Sequence, residues 1–212
     1  MTLLVVITIA FTVLPLVGVA LVGGSAREWI VDQGQRFGLV EGVPAQTRRG
    51  IAAYQAGDLI TAERELREAA QSYPRSGVAL IYLARMRTDD GDLERAGEYL
   101  REAVAREPDN ALAHRELAGY YLTRSAAGRG SGPTDAYASD DLLKAQAHYE
   151  RALQLDPTDA YARGFYGCVL ADLGQTVNAE RMLAEAGPGP WERCVQRVPL
   201  TQPAPPEAPT PP

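Results

Sequence analysis

The sequence predicts an all-α protein: an α-solenoid of about four helix–turn–helix repeats, preceded by one N-terminal transmembrane helix and followed by a C-terminal capping helix. Three observations carry this reading. Apolar and small residues recur at the three-and-four spacing of a helix face, in paired segments joined by short glycine-containing turns. The pattern returns after 34 residues, so that Gly57 and Gly91, Ala62 and Ala96, Ala69 and Ala103, and Pro74 and Pro108 coincide one period apart. Ahead of the repeats, residues 3–22 form a 20-residue run dominated by Leu, Val, Ile and Ala.

From Thr2 to Ala26 there is no charged side chain. Twenty residues at a rise of about 1.5 Å match a hydrocarbon core of about 30 Å, so residues 1–26 are predicted to be a membrane anchor or an uncleaved signal. Pro15 sits mid-span, which membrane helices tolerate. A cleaved signal peptide is the competing reading, with Gly24-Ser25-Ala26 as the small-residue site; the long apolar run and the absence of Lys or Arg ahead of it favour the anchor. Arg27, Arg36, Arg48 and Arg49 follow the span and favour a cytoplasmic domain by charge, whereas the minimal N-terminus suits an exported one. The expectation is a single-pass protein with its repeats on the periplasmic or extracytoplasmic side. Residues 27–42 form a juxtamembrane linker. There Trp29, Ile30, Phe37, Leu39 and Val40 suit one side of a short interfacial helix, with Trp29 at headgroup level, or else a helix covering the first repeat.

The repeats are expected over residues 43–188. The second, 77–110, shows the pattern best: Leu80, Leu83, Ala84 and Arg87 mark one helix face, Ala96, Leu100 and Ala103 the next, with the turn Asp89-Asp90-Gly91-Asp92 between them. One period upstream, 43–76 places Gly50, Gly57, Ala62, Leu66, Ala69 and Pro74 in register. Downstream, 111–159 carries Leu117, Ala118 and Tyr121, then Ala145, Tyr149, Ala152 and Pro157, the second set delayed by 15 residues. That insertion, 125–139, holds three glycines and Pro133 and is predicted to be an extended surface loop. The fourth copy, 160–188, supplies Tyr166, Gly167, Leu170, Gly174, Ala179, Leu183 and Ala186. Trp191, Cys194, Val195 and Val198 then fall at the spacing of a short amphipathic helix, 189–199, able to cover the open face of the last repeat. Residues 200–212 are proline-rich and predicted to be a disordered tail.

These residues resemble the tetratricopeptide repeat (TPR) family, whose 34-residue helix–turn–helix carries small residues at fixed points and a closing proline. The resemblance covers residues 43–187. Arg49 and Arg87 depart from it, standing where an apolar residue is usual. The terminal position of the first repeat accounts for Arg49, and a packed stem with a solvated guanidinium is expected of Arg87. The resemblance implies that the first helix of each pair lines a concave groove that binds peptides. On the family's pattern its inward residues here include Arg48, Tyr54, Tyr82, Arg85, Arg115, Tyr161, Phe165 and Cys168, and arginines and aromatics are enriched in binding hot spots. The lysines and asparagines of the family's chaperone-tail clamp are absent from these positions.

The remaining signals exclude more than they assign. A net charge of −6 supplies no field for nucleic acid. There is no Walker loop, no Ser-His-Asp arrangement, no Cys-x-x-Cys-His haem site and no zinc spacing; the GRGSG of the insertion lacks the lysine and the strand of a phosphate loop. The acidic turn 89–92 lacks the spaced ligands of a calcium loop, and His114 and His148 are read as structural. No cofactor, metal or catalytic residue is expected. A bridge between Cys168 and Cys194 needs an exported domain and a capping helix beside the fourth repeat; with no distance to license it, two separate thiols are expected. The function read from the sequence is a non-enzymatic, membrane-anchored scaffold holding a protein or peptide segment in its groove. The alternative is a permanent accessory subunit of a respiratory, photosynthetic, secretion or cytochrome c assembly complex.

Overall fold

In the computed structural model, residues 24–36, 42–128 and 135–195 are described, and every regular element among them is an α-helix. The apolar run 3–22, the tail 200–212 and Val198 lie outside the described residues. Among those described, no helix is long and apolar enough to cross a membrane. The chain divides into two compact units, Met1–Met86 and Arg87–Pro212.

The first unit contains α1 (Gly24–Arg36), α2 (Ala45–Gln55), α3 (Leu59–Ser72) and most of α4 (Val78–Asp89). Helices α2 and α3 form a hairpin whose closeness rests on Gly50: a methyl group there would stand 2.7 Å from Leu66 Cγ. Leu66 is fully buried with Ala62 and Ala69, and Ile81, Leu83 and Ala84 are buried on α4. Burying a leucine side chain stabilises by about 2 kcal/mol. Helix α1 leans on the C-terminal end of α3, where the Tyr73 hydroxyl donates to Asp32 and Arg36 lies 6.0 Å above the Tyr73 ring. Trp29, Ile30 and Val31 stay exposed, and Phe37, Leu39 and Val40 fall outside the described residues. Arg49 is exposed and reaches Glu65 on the partner helix at 3.3 Å.

The second unit contains α5 (Leu93–Arg106), α6 (Ala111–Gly128), α7 (Asp135–Leu155), α8 (Ala160–Asp172), α9 (Thr176–Ala186) and α10 (Glu192–Val195). The α8–α9 hairpin repeats the α2–α3 contact at the same sequence separation: a methyl on Gly167 would lie 2.7 Å from Leu183 Cγ. Gly97 of α5 similarly accepts the Tyr120 ring of α6, which would stand 2.4 Å from an added methyl. Arg87 is largely covered, and its guanidinium ends on Asp90 of the turn at 2.9 Å rather than in solvent. This gives the unusual arginine a local reason.

The insertion in the third repeat differs from the predicted extended loop. Residues 125–128 continue α6 and 135–139 begin α7, so only 129–134 fall outside the described residues. Ala126 and Ala127 favour helix, and Ser125 turns its hydroxyl back onto the Leu122 carbonyl at 3.0 Å. Arg124 then ties the lengthened helices together. Its Nε donates to Asp141 Oδ2 at 2.6 Å, Nη2 donates to Oδ1, and Nη1 donates to the Tyr120 hydroxyl at 2.9 Å. The Asp141 hydrogen bonds hold the Arg124 pKa well above its ordinary value.

Three interhelical turns share one device. Gly57, Gly91 and Gly174 take positive φ of 78°, 81° and 76°, the left-handed region that a side chain resists. At each, the glycine N–H and that of the next residue bond back to the ending helix: Gly57 to Tyr54 and Asp58 to Ala53, Gly91 to Thr88 and Asp92 to Arg87, Gly174 to Ala171 and Gln175 to Leu170. This is the Schellman termination. Asp58 and Asp92 then open the next helix by accepting from the N–H of Thr61 and Arg95, each at 3.1 Å. Hydrogen bonding to Thr61 lowers the Asp58 pKa. Replacing Gly91 by alanine forces a methyl into left-handed backbone and should lower unfolding free energy by about 1 kcal/mol, measured by urea denaturation. An unchanged midpoint would mean that the turn relaxes.

Candidate protein-binding surface

The residues predicted to face the groove fall into two clusters, one in each unit. In the first, Tyr54 of α2 and Tyr82 of α4 meet edge to face, with centroids 6.0 Å apart and planes at 76°. Arg85, one turn beyond Tyr82, lies 4.8 Å above its ring. Both tyrosines are half-buried, which leaves part of each ring at the surface. Arg48 is exposed and donates to the Val43 carbonyl at 2.5 Å, at the start of its own helix.

In the second unit, Arg115 of α6 is already engaged. Its Nη1 donates to Asp159 at 2.9 Å, Nη2 donates to Glu116 at 3.1 Å, and the guanidinium stacks 5.2 Å from the Tyr161 ring. Burial opposes the charge, but the two carboxylates outweigh it and raise the Arg115 pKa. Asp159 also caps α8 through the N–H of Ala162, so Arg115 is fixed to the start of the fourth repeat. Tyr161 and Phe165 lie 4.7 Å apart on α8.

The C-terminal turn packs beside these rings, leaving Phe165 half-buried and Tyr161 48% exposed. Trp191 is 5% exposed and meets Tyr161 and Phe165 edge to face, at 6.2 Å and 6.0 Å. Its Nε1–H donates to the Gly187 carbonyl at 2.8 Å. Cys168 and Cys194 form a disulfide with Cα atoms 5.3 Å apart, contrary to the expectation of separate thiols. The reason is geometric: the reversal at 187–190 returns the chain over α8, bringing Cys194 within bridging distance. Three residues assigned to the groove (Tyr161, Phe165 and Cys168) thus lie against the protein's own C-terminal turn. Sequence reasoning missed Gly164, whose absent side chain admits the indole; a glycine inside a helix, costly by propensity, was the available signal.

The two histidines form a pair across α6 and α7. Their Nδ1 atoms are 2.9 Å apart, and His114 Nε2 lies 2.9 Å from the Pro108 carbonyl. A carbonyl only accepts, so His114 carries its proton on Nε2, and its Nδ1 accepts from the Nδ1–H of His148. Tyr121 stacks on His148 at 5.8 Å, with Arg124 5.2 Å and Lys144 5.7 Å from the Tyr121 ring. Among the described residues no group of three His, Cys, Asp or Glu side chains could hold a metal ion.

The likeness to known structures is one of fold. No known family model matches the sequence, nor does any curated protein. The chain is similar to TTC0263, a thermophilic TPR protein of Thermus thermophilus, at 25% identity over 66% of this chain and 71% of that one, with a TM-score of 0.56. It is similar also to the O-GlcNAc transferase of Thermobaculum terrenum, at 19% identity over 73% of this chain and 26% of that one, TM-score 0.52. Human IFIT1 matches at 17% identity over 72% of this chain and 34% of that one, TM-score 0.56. The helices, their glycine turns and the first of these similarities define a TPR-like, α-solenoid class of protein.

Burial, and then His114, pushes the His148 pKa down to about 4 from its ordinary 6.5. Between those values the unfolded chain binds more protons than the folded one, so stability falls as pH drops. The contribution is complete above pH 6.5 and absent below about pH 4. The thermal midpoint should therefore decline from pH 7 to pH 5, followed by circular dichroism, and His148→Phe should flatten that decline. An equal decline in the variant would place the sensitivity elsewhere.

Proposed function

We propose that the protein is a non-enzymatic, membrane-anchored TPR-like scaffold that captures an extended or helical segment of a partner protein on the first-helix side of its repeats. The observation that carries the reading is the Tyr54–Tyr82–Arg85 cluster, an edge-to-face ring pair with a guanidinium over one ring, set on successive first helices. Aromatic rings supply contact area at low entropic cost, and a guanidinium recognises carboxylates with directional hydrogen bonds. Similarity to TTC0263, itself described as a TPR protein, supports protein interaction as the general role. In the second unit Arg115 is paired and Phe165 lies half-buried against Trp191, while Tyr161 remains 48% exposed.

The anchor belongs to residues 1–26, and the domain is proposed to face an oxidising, extracytoplasmic compartment. The Cys168–Cys194 disulfide supports that side, because such bonds persist outside the reducing cytosol. Tethering raises the effective concentration at the membrane, so that modest intrinsic affinity suffices.

A second reading is a permanent accessory subunit of a membrane complex, favoured by Trp29, which is 64% exposed on α1 beside the apolar run. There it would sit at the membrane interface or against another subunit. Mild-detergent pull-down from native membranes separates the two. A fixed set of membrane subunits in constant ratio identifies the accessory role, and loss of that set on deleting residues 1–26 agrees with it. For the scaffold reading, Arg85→Glu combined with Tyr82→Ala should reduce capture at least tenfold with helicity unchanged. Undiminished capture would rule out the first-unit surface.

A further inference from the structure

We propose that residues 187–195 are a ligand tethered in the protein's own groove, latched by the Cys168–Cys194 disulfide. Opening that bond with a dithiol would uncover on α8 a slot for one tryptophan of a partner peptide. The inference rests on the groove reading above but concerns only the fourth repeat.

The slot is built for an indole. A methyl at Gly164 would stand 2.1 Å from Trp191 Cδ2, and one at Gly189 would stand 2.3 Å from Cζ2. Two glycines therefore stand against the ring, and a side chain at either position would collide with it. Tyr161 and Phe165 meet the indole with near-perpendicular planes, at 88° and 79°, and both belong to α8. The Nε1 acceptor, the Gly187 carbonyl, belongs to the segment instead. The recognised unit is thus a tryptophan at the end of a Gly/Pro turn that satisfies its own N–H.

Among the described residues, packing around Trp191 and one covalent bond hold the segment down. Its hydrogen bonds from Glu192 N to Gly189 O (3.1 Å), Cys194 N to Trp191 O (2.8 Å) and the indole to Gly187 O (2.8 Å) are internal. Pro188 and Pro190 have no N–H to give. Helix α10 spans four residues, too short to persist by itself. A cross-link joining residues 26 apart keeps the segment at high local concentration; without it, docking competes with an unfolded tether.

The chemistry is thiol–disulfide exchange. One thiolate of the dithiol attacks the Cys194 sulfur, the more accessible of the two because Cys168 is buried, and Cys168 leaves as a thiolate. The second thiol of the donor displaces Cys194 from the mixed disulfide. Two electrons and two protons end on Cys168 and Cys194, and the donor becomes a cyclic disulfide.

The test uses the full chain. In a Trp29→Phe background, Trp191 is the only indole. Dithiothreitol should free two thiols, shift the emission to the red and raise acrylamide quenching severalfold, with helicity retained. Emission unmoved after both thiols are titrated would overturn the latch. In a second measurement, a fluorescein-labelled peptide GPGPWERSV is added to the Trp191→Ala, Cys194→Ser chain and followed by anisotropy. Saturable binding is expected there, with at least tenfold weaker binding to the oxidised unsubstituted chain and none by the peptide carrying Ala for Trp. Binding that ignores the peptide's tryptophan, or that is equal in the oxidised chain, would overturn the slot. Adding Arg85→Glu and Tyr82→Ala to the open-slot chain should leave peptide binding unchanged, so the two surfaces fail or hold separately.

Discussion

Close approach of paired helices is the constraint on which this structure depends. A leucine of one helix enters the space of a missing side chain on the other, Leu66 over Gly50 and Leu183 over Gly167, and 16 residues separate the partners each time. Such contact requires the chain to reverse within a few residues, which the left-handed glycines at 57 and 174 permit. The carbonyls at the end of the first helix are satisfied by the turn itself, so the reversal leaves few backbone groups unpaired. Periodicity in the sequence is the imprint of this one local solution used again.

Because that device is local, most of the fold was legible. Small residues, turn glycines and capping aspartates each act within a few positions of where they stand, and they mark helix boundaries without reference to the rest of the chain. The parts that were not legible depend on partners distant in sequence. Arg124 and Asp141 stand 17 residues apart across the insertion, and their pairing turns a predicted loop into extra helical turns. The Cys168–Cys194 bond depends on a reversal at 187–190 that periodicity does not encode. Arg87 was legible as an anomaly only; its reason, Asp90, was already in view within the turn.

The surface residues show the same division. Sequence pattern brings Tyr54, Tyr82 and Arg85 to one place, and the structure joins them there. It cannot reveal that Arg115 spends its donors on Asp159 and Glu116, or that an indole lies over Tyr161 and Phe165. A paired guanidinium makes a weak anchor for an incoming chain, since existing contacts must first be given up. In the fourth repeat, Trp191 of the chain's own C-terminal turn packs against Tyr161 and Phe165. The Cys168–Cys194 disulfide joins that turn to α8.

Site-specific photo-crosslinking in native membranes tests the central claim most directly. A benzophenone amino acid would replace Tyr82 in one chain and Val177, which is exposed on the second helix of the last pair, in another. The account predicts a discrete protein adduct from position 82 and none from position 177. Adducts from 177 alone would contradict it, placing the partner on the opposite helices and leaving the aromatic–arginine cluster without a role in capture.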